Sequence, residues 1–162
     1  MHEYLDFDSA GSIDSPIGPI SLYAKDGVII FVRMTKPAEL PLGNNPVLAE
    51  AFTQISEYFD GTRQNFELPL SDAGTDFQRA VWNEIASIPF GQTLSYADIA
   101  HKIGRPLAAR AVGGAVGANP HAILVPCHRV MGASGRITGY SGGEGIPTKR
   151  WLLAHESISS AD

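Results

Sequence analysis

The sequence predicts an α+β protein: a small N-terminal α/β domain with an antiparallel sheet over residues 1–72, then a mainly helical C-terminal domain containing a helix-turn-helix over residues 73–162. Two patterns lead to this prediction. Apolar and polar residues alternate in the first part, as in strands, and apolar residues recur at helical spacing in the second. With 44% hydrophobic and 18% charged residues, the chain can also bury a core, which excludes a wholly disordered protein.

The first elements are a predicted β-hairpin. Asp26-Gly27 is typical of a two-residue hairpin turn. Apolar residues alternate with polar ones on both sides of this turn, at Ile20, Leu22, Ala24, Val28, Ile30 and Val32. A loop rich in proline, glycine and asparagine is predicted next, over residues 37–45.

A helix is predicted from Pro46 to Gly61, because proline favours the first helical turn and glycine the end. Its apolar stripe consists of Val47, Ala51, Phe52, Ile55, Tyr58 and Phe59. Beyond it, the alternating Phe66, Leu68 and Leu70 predict one more short strand. Residues 71–74 then predict the linker between the two domains.

Three helices are predicted at the start of the C-terminal part. Thr75 is a suitable N-cap for the first, which stops at Pro89. Its apolar stripe is Phe77, Val81, Trp82 and Ile85. The second helix runs from Ser95 to Gly104, and the third covers residues 107–118. Two short helices joined by a tight turn with glycine predict the helix-turn-helix.

The third of these helices has little side-chain bulk. Arg110 is the one long side chain in its middle, among the small residues Ala108, Ala109, Ala111, Gly113, Gly114, Ala115 and Gly117. Such a helix can approach another surface closely. The pattern favours a ligand-facing helix, with tight helix–helix packing as the alternative.

Charge is unevenly distributed along the chain. The formal net charge is -5, but the 45 residues between Asp98 and Glu144 contain no acidic residue and carry +5, which leaves -10 for the remainder. The five basic residues are Lys102, Arg105, Arg110, Arg129 and Arg136. This block predicts either an electropositive face for nucleic acid or a phosphorylated ligand, or an ordinary solvated face.

Cys127 is the only cysteine, which excludes a disulfide framework and a multi-cysteine zinc site. It follows an apolar run at residues 123–125 that predicts a buried strand or extended segment. His128 is adjacent, and Arg129 and Arg136 raise the local potential, so we expect a thiol pKa low enough to populate the nucleophilic thiolate. An inert buried cysteine is the alternative.

A base for this thiol should act indirectly. Neighbouring residues on an extended chain point apart, so His128 is expected to act through a water molecule. A third group should orient its imidazole. From spacing alone, Glu156 at the end of a predicted helix over residues 147–155, Glu144 and Asp98 all remain candidates.

No apolar run approaches the ~18 residues that a membrane span needs. The first residues also lack the basic head and apolar stretch of a secretory signal. We therefore expect a cytoplasmic protein without a membrane partner.

The run Pro126-Cys127-His128-Arg129-Val130 resembles the active-site signature of the O6-alkylguanine-DNA alkyltransferases, the methylated-DNA:protein-cysteine methyltransferases. Further runs resemble that family in order and approximate spacing: Phe90-Gly91-Gln92, Ser95-Tyr96, Ala109-Arg110-Ala111-Val112-Gly113, Asn119-Pro120, Tyr140-Ser141-Gly142-Gly143 and Trp151-Leu152-Leu153-Ala154-His155-Glu156. The resemblance extends from about Thr75 to Glu156, whereas residues 1–70 resemble the family only in their order of elements.

This resemblance implies direct-reversal DNA repair. An alkyl group, chiefly methyl, passes from O6 of guanine, and also from O4 of thymine, to Cys127 in a single turnover per molecule. No metal or organic cofactor is implied. The implied partner is double-stranded DNA with an alkylated guanine, bound through its minor groove with little sequence preference, and we expect a monomer off DNA.

The resemblance also implies roles for individual residues. A catalytic role is implied for Cys127, His128, Glu156, Tyr96 and Asn119: nucleophile, two members of a proton relay, proton donor to guanine, and brace of the active-site turn. Substrate or DNA contacts are implied for Arg110, Val130, Tyr140, Ser141, Lys149 and Ala109. Among these, the Arg110 side chain takes the place of the extruded nucleotide.

Two other functions remain to be weighed. An alkyltransferase-like protein flags lesions without repairing them, but such relatives lack the cysteine that Cys127 supplies. A cysteine hydrolase could use Cys127 and His128, but it leaves the helix around Arg110 without a role.

Overall fold

The computed structural model describes residues 6–34 and 45–160. The chain divides into two compact units, Met1–Ser71 and Asp72–Asp162. Within its described residues, the first contains three strands and one helix: β1 (Ser9–Ile13), β2 (Ile20–Lys25), β3 (Val28–Met34) and α1 (Pro46–Asp60). The second contains four helices and two very short strands: α2 (Asp76–Ala86), β4 (Leu94–Ser95), α3 (Tyr96–Lys102), α4 (Ala109–Gly117), β5 (Val130–Met131) and α5 (Ile146–His155). The predicted α+β fold is confirmed.

The N-terminal sheet is antiparallel in the order β1-β2-β3. The predicted hairpin is confirmed: Asp26 and Gly27 join β2 to β3 with positive φ angles of 51° and 80°, as a two-residue hairpin turn requires. The sequence analysis missed β1, whose run Ser-Ala-Gly-Ser-Ile has too few large apolar residues for alternation to show.

Helix α1 begins and ends as predicted. The Asn45 side chain accepts from the Val47 amide at the start, and Gly61 ends the helix with a φ of 84°. The buried face contains Leu48, Ala51, Gln54, Ile55 and Tyr58, so only part of the predicted stripe is buried. Apart from Asn45, the predicted loop at residues 37–45 lies outside the described residues.

The predicted strand at Phe66–Leu70 is wrong. Only Leu70 pairs with the sheet, through an isolated bridge to Ile29. Instead of a neighbouring strand, the Gln54 side chain satisfies Glu67: its Nε2 donates to the Glu67 carbonyl at 3.2 Å and its Oε1 accepts from the Glu67 amide at 2.9 Å. Pro69 also lacks an N–H for a strand ladder.

In the second unit, α2, α3 and α4 pack against one another. Their buried contacts come from Val81, Ile85, Ile99, Ala100, Val112 and Ala115. Thr75, the predicted N-cap, forms a reciprocal capping box with the third helical residue, and so does Ser95, where the second helix was predicted to start. Helix α2 ends at Ala86 with Ser87 as its C-cap, and Pro89, which cannot continue a helix, follows two residues later. Within the described residues, no helix has both the length and the apolar character that spanning a membrane requires.

Thr75→Ala should lower the free energy of unfolding of the second unit by about 1 kcal/mol. The Thr75 hydroxyl accepts from the Gln78 amide at 3.1 Å, and alanine leaves that amide without its cap. Urea unfolding followed by tryptophan fluorescence measures the change, because both tryptophans, Trp82 and Trp151, lie in this unit. Thr75→Ser keeps the hydroxyl and should unfold like the wild type; equal losses in both variants would contradict the capping role.

Candidate active site

The segment that carries Cys127 into the interior is a tight turn. The predicted strand at residues 123–125 is wrong, because Ile123 has a φ of 71° and the Val125 amide donates back to the His121 carbonyl at 2.8 Å. Asn119 holds this turn from two sides: its Oδ1 accepts from the His121 amide at 2.9 Å, and its Nδ2 donates to the Val125 carbonyl at 3.0 Å. The turn therefore fixes the backbone position of Cys127.

Cys127 opens a 3₁₀ turn, Cys127–Arg129, and is only 5% exposed. Its Sγ lies 3.1 Å from Asn119 Nδ2 and 3.6 Å from the Val116 carbonyl. Burial raises the pKa of the thiol to about 12, although the Asn119 hydrogen bond and the Lys149 charge act to lower it. The expected low pKa is therefore wrong: the thiol is protonated at neutral pH, and a base must remove its proton.

His128 and Glu156 form a buried pair. The His128 Nε2 lies 2.6 Å from Glu156 Oε2, and both side chains are inaccessible to solvent. A carboxylate only accepts hydrogen bonds, so Nε2 carries the proton. Burial lowers the pKa of His128, which keeps the ring neutral and leaves Nδ1 as an acceptor. That Nδ1 is buried and has no hydrogen-bond partner.

The three carboxylates left open by the sequence have different positions. Asp98 caps α3, where it accepts from the Ser95 amide at 2.9 Å. Glu144 is exposed, whereas Glu156 lies at the end of α5 and is buried against His128. Only Glu156 pairs with the imidazole among these three.

Arg129 also binds Glu156, a pairing that the sequence analysis did not foresee. Its Nε donates to Oε1 at 2.7 Å and its Nη2 to Oε2 at 3.1 Å. Arg129 was counted in the basic block, but it is buried, so four exposed basic residues remain there: Lys102, Arg105, Arg110 and Arg136. The pair is separated by 27 residues in sequence, and no local pattern marks it.

Tyr96 is carried towards this turn by a short parallel pairing. Strand β4 precedes Tyr96 directly and pairs with β5, which follows the Cys127 turn, with Leu94 opposite Val130. The Tyr96 hydroxyl accepts from the Thr138 hydroxyl at 3.2 Å. A Cβ at Gly113 would meet the Tyr96 ring at 3.9 Å, an ordinary van der Waals distance, so Tyr96 faces this part of α4.

Lys149 and Tyr140 lie close enough to Cys127 to interact with it electrostatically. Lys149 is fully buried, and its Nζ donates to the carbonyls of Val130 at 2.6 Å and Gly139 at 3.2 Å. Burial lowers the pKa of Lys149 to about 8. Burial, and then the neighbouring Cys127, raise the pKa of Tyr140, so its phenol stays protonated.

Helix α4 has one exposed face. The face comprises residues 107, 110, 111, 114, 117 and 118, and Arg110 is its one charged side chain. The opposite face buries Val112 and Ala115, and Trp82 Nε1 donates to the Ala115 carbonyl at 2.8 Å. Ala109, the first residue of the helix, is half-buried. Near its C-terminal end, the exposed Ser141 donates its hydroxyl to the Gly117 carbonyl at 3.4 Å.

No cluster of three or more histidine, cysteine or acidic side chains within residues 6–34 and 45–160 could hold a metal ion. The buried polar groups around Cys127 are instead paired with one another, except His128 Nδ1.

Comparison with known proteins finds one family that matches most of the chain. Residues 76–158 match the family model of the 6-O-methylguanine DNA methyltransferase DNA-binding domain, and residues 10–71 match that of its ribonuclease-like domain. The methylated-DNA–protein-cysteine methyltransferase of Mycolicibacterium paratuberculosis is 47% identical over 150 residues, which cover 90% of each chain. This chain belongs to the 6-O-methylguanine DNA methyltransferase family.

Two further relatives support membership of the methyltransferase family. The inducible methylated-DNA–protein-cysteine methyltransferase of Bacillus subtilis is 50% identical over 132 residues, covering 82% of this chain and 73% of the relative. The crystal structure of Mycobacterium tuberculosis OGT in complex with DNA has a TM-score of 0.81 at 46% identity, covering 91% of this chain and 92% of the other. All the predicted site residues, from Tyr96 to Glu156, fall within the methyltransferase DNA-binding domain match.

Proposed function

We propose that this chain repairs DNA by direct reversal, transferring an alkyl group, chiefly methyl, from O6 of guanine to Cys127. One buried arrangement carries the proposal. The lone Cys127 lies beside Asn119, and the adjacent His128 is neutral, with no hydrogen-bond partner at its Nδ1. It occurs in a chain whose family transfers methyl groups from DNA to cysteine. DNA is the partner, because residues 76–158 match the family's DNA-binding domain.

The proton leaves the thiol through His128. We infer that one water molecule bridges Cys127 Sγ and His128 Nδ1, because a buried polar atom without a protein partner is commonly satisfied by water. The water accepts the thiol proton and passes a proton to Nδ1. Glu156, 2.6 Å from Nε2, then stabilises the imidazolium that forms.

The sulfur attacks the alkyl carbon as its proton leaves. An S–C bond forms, the C–O6 bond breaks, and its electron pair stays on guanine. Tyr96 gives a proton to the guanine ring, so a neutral base departs rather than an anion, and its phenolate regains a proton after the transfer. The resulting thioether offers no easily displaced group, so each molecule acts once. O4 of thymine presents the same alkoxy chemistry and is a second substrate.

The raised thiol pKa fits this scheme. A thiol with a pKa of about 12 is largely unreactive at neutral pH, so it reacts slowly with oxidants and stray alkylating agents. Deprotonation is instead coupled to the attack on a bound base. Asn119 Nδ2, 3.1 Å from the sulfur, stabilises the negative charge that develops there.

The alkylated nucleotide must leave the duplex before Cys127 can reach it. We propose that the exposed face of α4 lies in the minor groove, where its small residues let the helix approach closely, and that Arg110 fills the vacated place in the base stack. Ala109, the first residue of α4, contacts the DNA backbone beside this face. Such contacts depend on phosphates and on the ease of flipping, so little sequence preference is expected.

The extruded guanine is held beside Cys127. We propose that the Val130 carbonyl and the Ser141 amide bind its edge while Tyr140 lines the pocket. Lys149 fixes the Val130 carbonyl by donating to it at 2.6 Å, which leaves the second lone pair of that oxygen for the base. Action in the cytoplasm, a monomeric state off DNA and a domain boundary between residues 72 and 73 complete the proposal.

Intact mass spectrometry tests the function. After incubation with excess duplex containing O6-methylguanine, the protein should gain the mass of one methyl in place of one hydrogen, with the modification mapped to Cys127. The amount of repaired guanine should equal the amount of protein. Repeated turnover without a mass gain would support a hydrolase instead, and tight binding without repair would support a lesion sensor.

A further inference from the structure

We propose that Arg129 is a positioning residue for the alkyl transfer: it fixes the Glu156 carboxylate in the orientation that His128 requires and offsets the charge of that carboxylate. The inference rests on the proposed function, since it concerns the base that removes the Cys127 proton. Arg129 itself touches neither the sulfur nor the histidine ring in the hydrogen-bond network, and acts through Glu156.

Each of the three nitrogens of the Arg129 guanidinium donates a hydrogen bond. It donates to both oxygens of Glu156, at 2.7 and 3.1 Å, and its Nη1 donates to the Ile88 carbonyl at 2.6 Å. Its central carbon lies 5.7 Å from the centroid of the Phe90 ring. Arg129 is 5% exposed and Glu156 2%, so water does not screen this two-point pairing.

The Glu156 carboxylate is held in its plane and direction by four hydrogen bonds. Oε1 accepts from Arg129 Nε at 2.7 Å and from the Gly91 amide at 3.2 Å. Oε2 accepts from His128 Nε2 at 2.6 Å and from Arg129 Nη2 at 3.1 Å. Rotating the carboxylate away from His128 would therefore cost the bidentate arginine pairing as well. The ring of His128 is aimed by the same constraint.

The charge of Arg129 also acts on the histidine. Three charged side chains affect His128: Glu156, which raises its pKa, and Arg129 and Lys149, which lower it, while burial lowers it most. Without Arg129, the negative charge of the Glu156 carboxylate next to His128 would be only partly balanced by nearby positive charge. The pKa of His128 would rise, more of it would be protonated at a given pH, and a protonated imidazole cannot accept the proton of Cys127.

Single-turnover transfer rates measured against pH separate this role from a purely structural one. Arg129→Gln removes the charge and should slow methyl transfer at pH 7 at least about tenfold, since a positioned base contributes roughly 10²–10⁴-fold. The acid limb of its pH–rate profile should move to higher pH by roughly one to two units, as expected for losing a nearby charge in a site of effective dielectric constant ~20. Part of the rate should return as the pH is raised.

Arg129→Lys keeps the positive charge but loses the fork, the pair of N–H donors that binds both oxygens of Glu156. It should leave the acid limb in place and lower the plateau rate, because an ammonium cannot bind both carboxylate oxygens in the same geometry. The matched control is Arg63→Gln, which breaks an Arg–Glu pair in the first unit, with 2.8 Å between Arg63 Nε and Glu57 Oε1, and should change neither plateau nor limb. Urea unfolding and binding to lesion-containing duplex verify that each variant is folded.

Specific results would overturn the inference. A plateau rate of Arg129→Lys equal to that of the wild type would exclude positioning by the fork. An acid limb of Arg129→Gln that coincides with the wild-type limb would exclude the charge effect. If Arg129→Gln does not fold, a displaced acid limb in Arg129→Lys would by itself exclude the charge effect. Absence of transfer in the wild-type protein would instead contradict the proposed function, so the two failures are distinguishable.

Discussion

Cys127→Ala should still bind duplex DNA containing O6-methylguanine but should leave the base methylated. The sulfur is the atom that accepts the alkyl group, and Cys127 is the only cysteine among the 162 residues, so no second thiol can take over. Transfer should fall to the uncatalysed level, a loss of at least about 10⁶-fold. Incorporated label from a methyl-tritiated duplex, together with intact mass, measures the loss.

The substitution should not disrupt the site. Asn119 Nδ2 keeps its bond to the Val125 carbonyl at 3.0 Å when the sulfur is removed, so the turn stays braced. The missing sulfur leaves a space about the size of a methyl group, which costs about 1 kcal/mol of folding free energy. Affinity for the lesion should therefore remain close to that of the wild type in a titration at fixed salt.

Cys127→Ser provides a closer control, because its hydroxyl preserves the hydrogen bond with Asn119. A hydroxyl is a far weaker nucleophile than a thiolate and should transfer no measurable methyl. Any methyl adduct on Cys127→Ala would show that a different side chain is the acceptor. Such an adduct would overturn the assignment of Cys127 as the nucleophile, whether or not the guanine is repaired.

Local chemistry accounts for the parts of the fold that the sequence could predict. Asp26-Gly27 dictates a hairpin turn, and Thr75 and Ser95 begin helices through side chains only three residues away. The errors lie where side-chain hydrogen bonds to the backbone decide the conformation. Gln54 satisfies the backbone of Glu67 in place of a strand, and the turn through Ile123 depends on hydrogen bonds from Asn119. Apolar composition alone cannot distinguish a buried turn from a buried strand.

The candidate site could likewise be predicted only in part from the sequence. Adjacent Cys127 and His128 pointed to a nucleophile and its base, and an indirect role for the base agrees with the unpaired Nδ1. Yet the residues lie on a 3₁₀ turn rather than on an extended chain. Glu156 could not be selected from spacing, and the pairing of Arg129 with it is invisible until α5 is placed against the turn. The thiol pKa could not be predicted either, because it depends on burial.

Arg110→Ala should slow repair of O6-methylguanine in duplex DNA by roughly 10- to 100-fold, because extruding a nucleotide costs a few kcal/mol and the arginine compensates for part of that cost. Reaction with free O6-methylguanine base requires no extrusion and should change less than about twofold. Arg110 is exposed on α4, and its side chain takes no part in the contacts of the Cys127 sulfur with Asn119 and the Val116 carbonyl, so its loss should leave those contacts intact. Single-turnover rates on both substrates measure the two effects.

Lys102→Ala separates the position of Arg110 from its charge. Lys102 is an exposed basic residue of the same block, at the end of α3, so its removal deletes one positive charge without touching α4. Lys102→Ala should weaken binding to all duplexes and reduce the slope of log affinity against log salt concentration by about one. The ratio of the repair rate on duplex DNA to the rate on the free base should stay unchanged. If Arg110→Ala behaved like Lys102→Ala, the arginine would be a phosphate contact and not the residue that replaces the nucleotide. If it slowed both substrates equally, its effect would lie in the chemistry at Cys127 and not in extrusion.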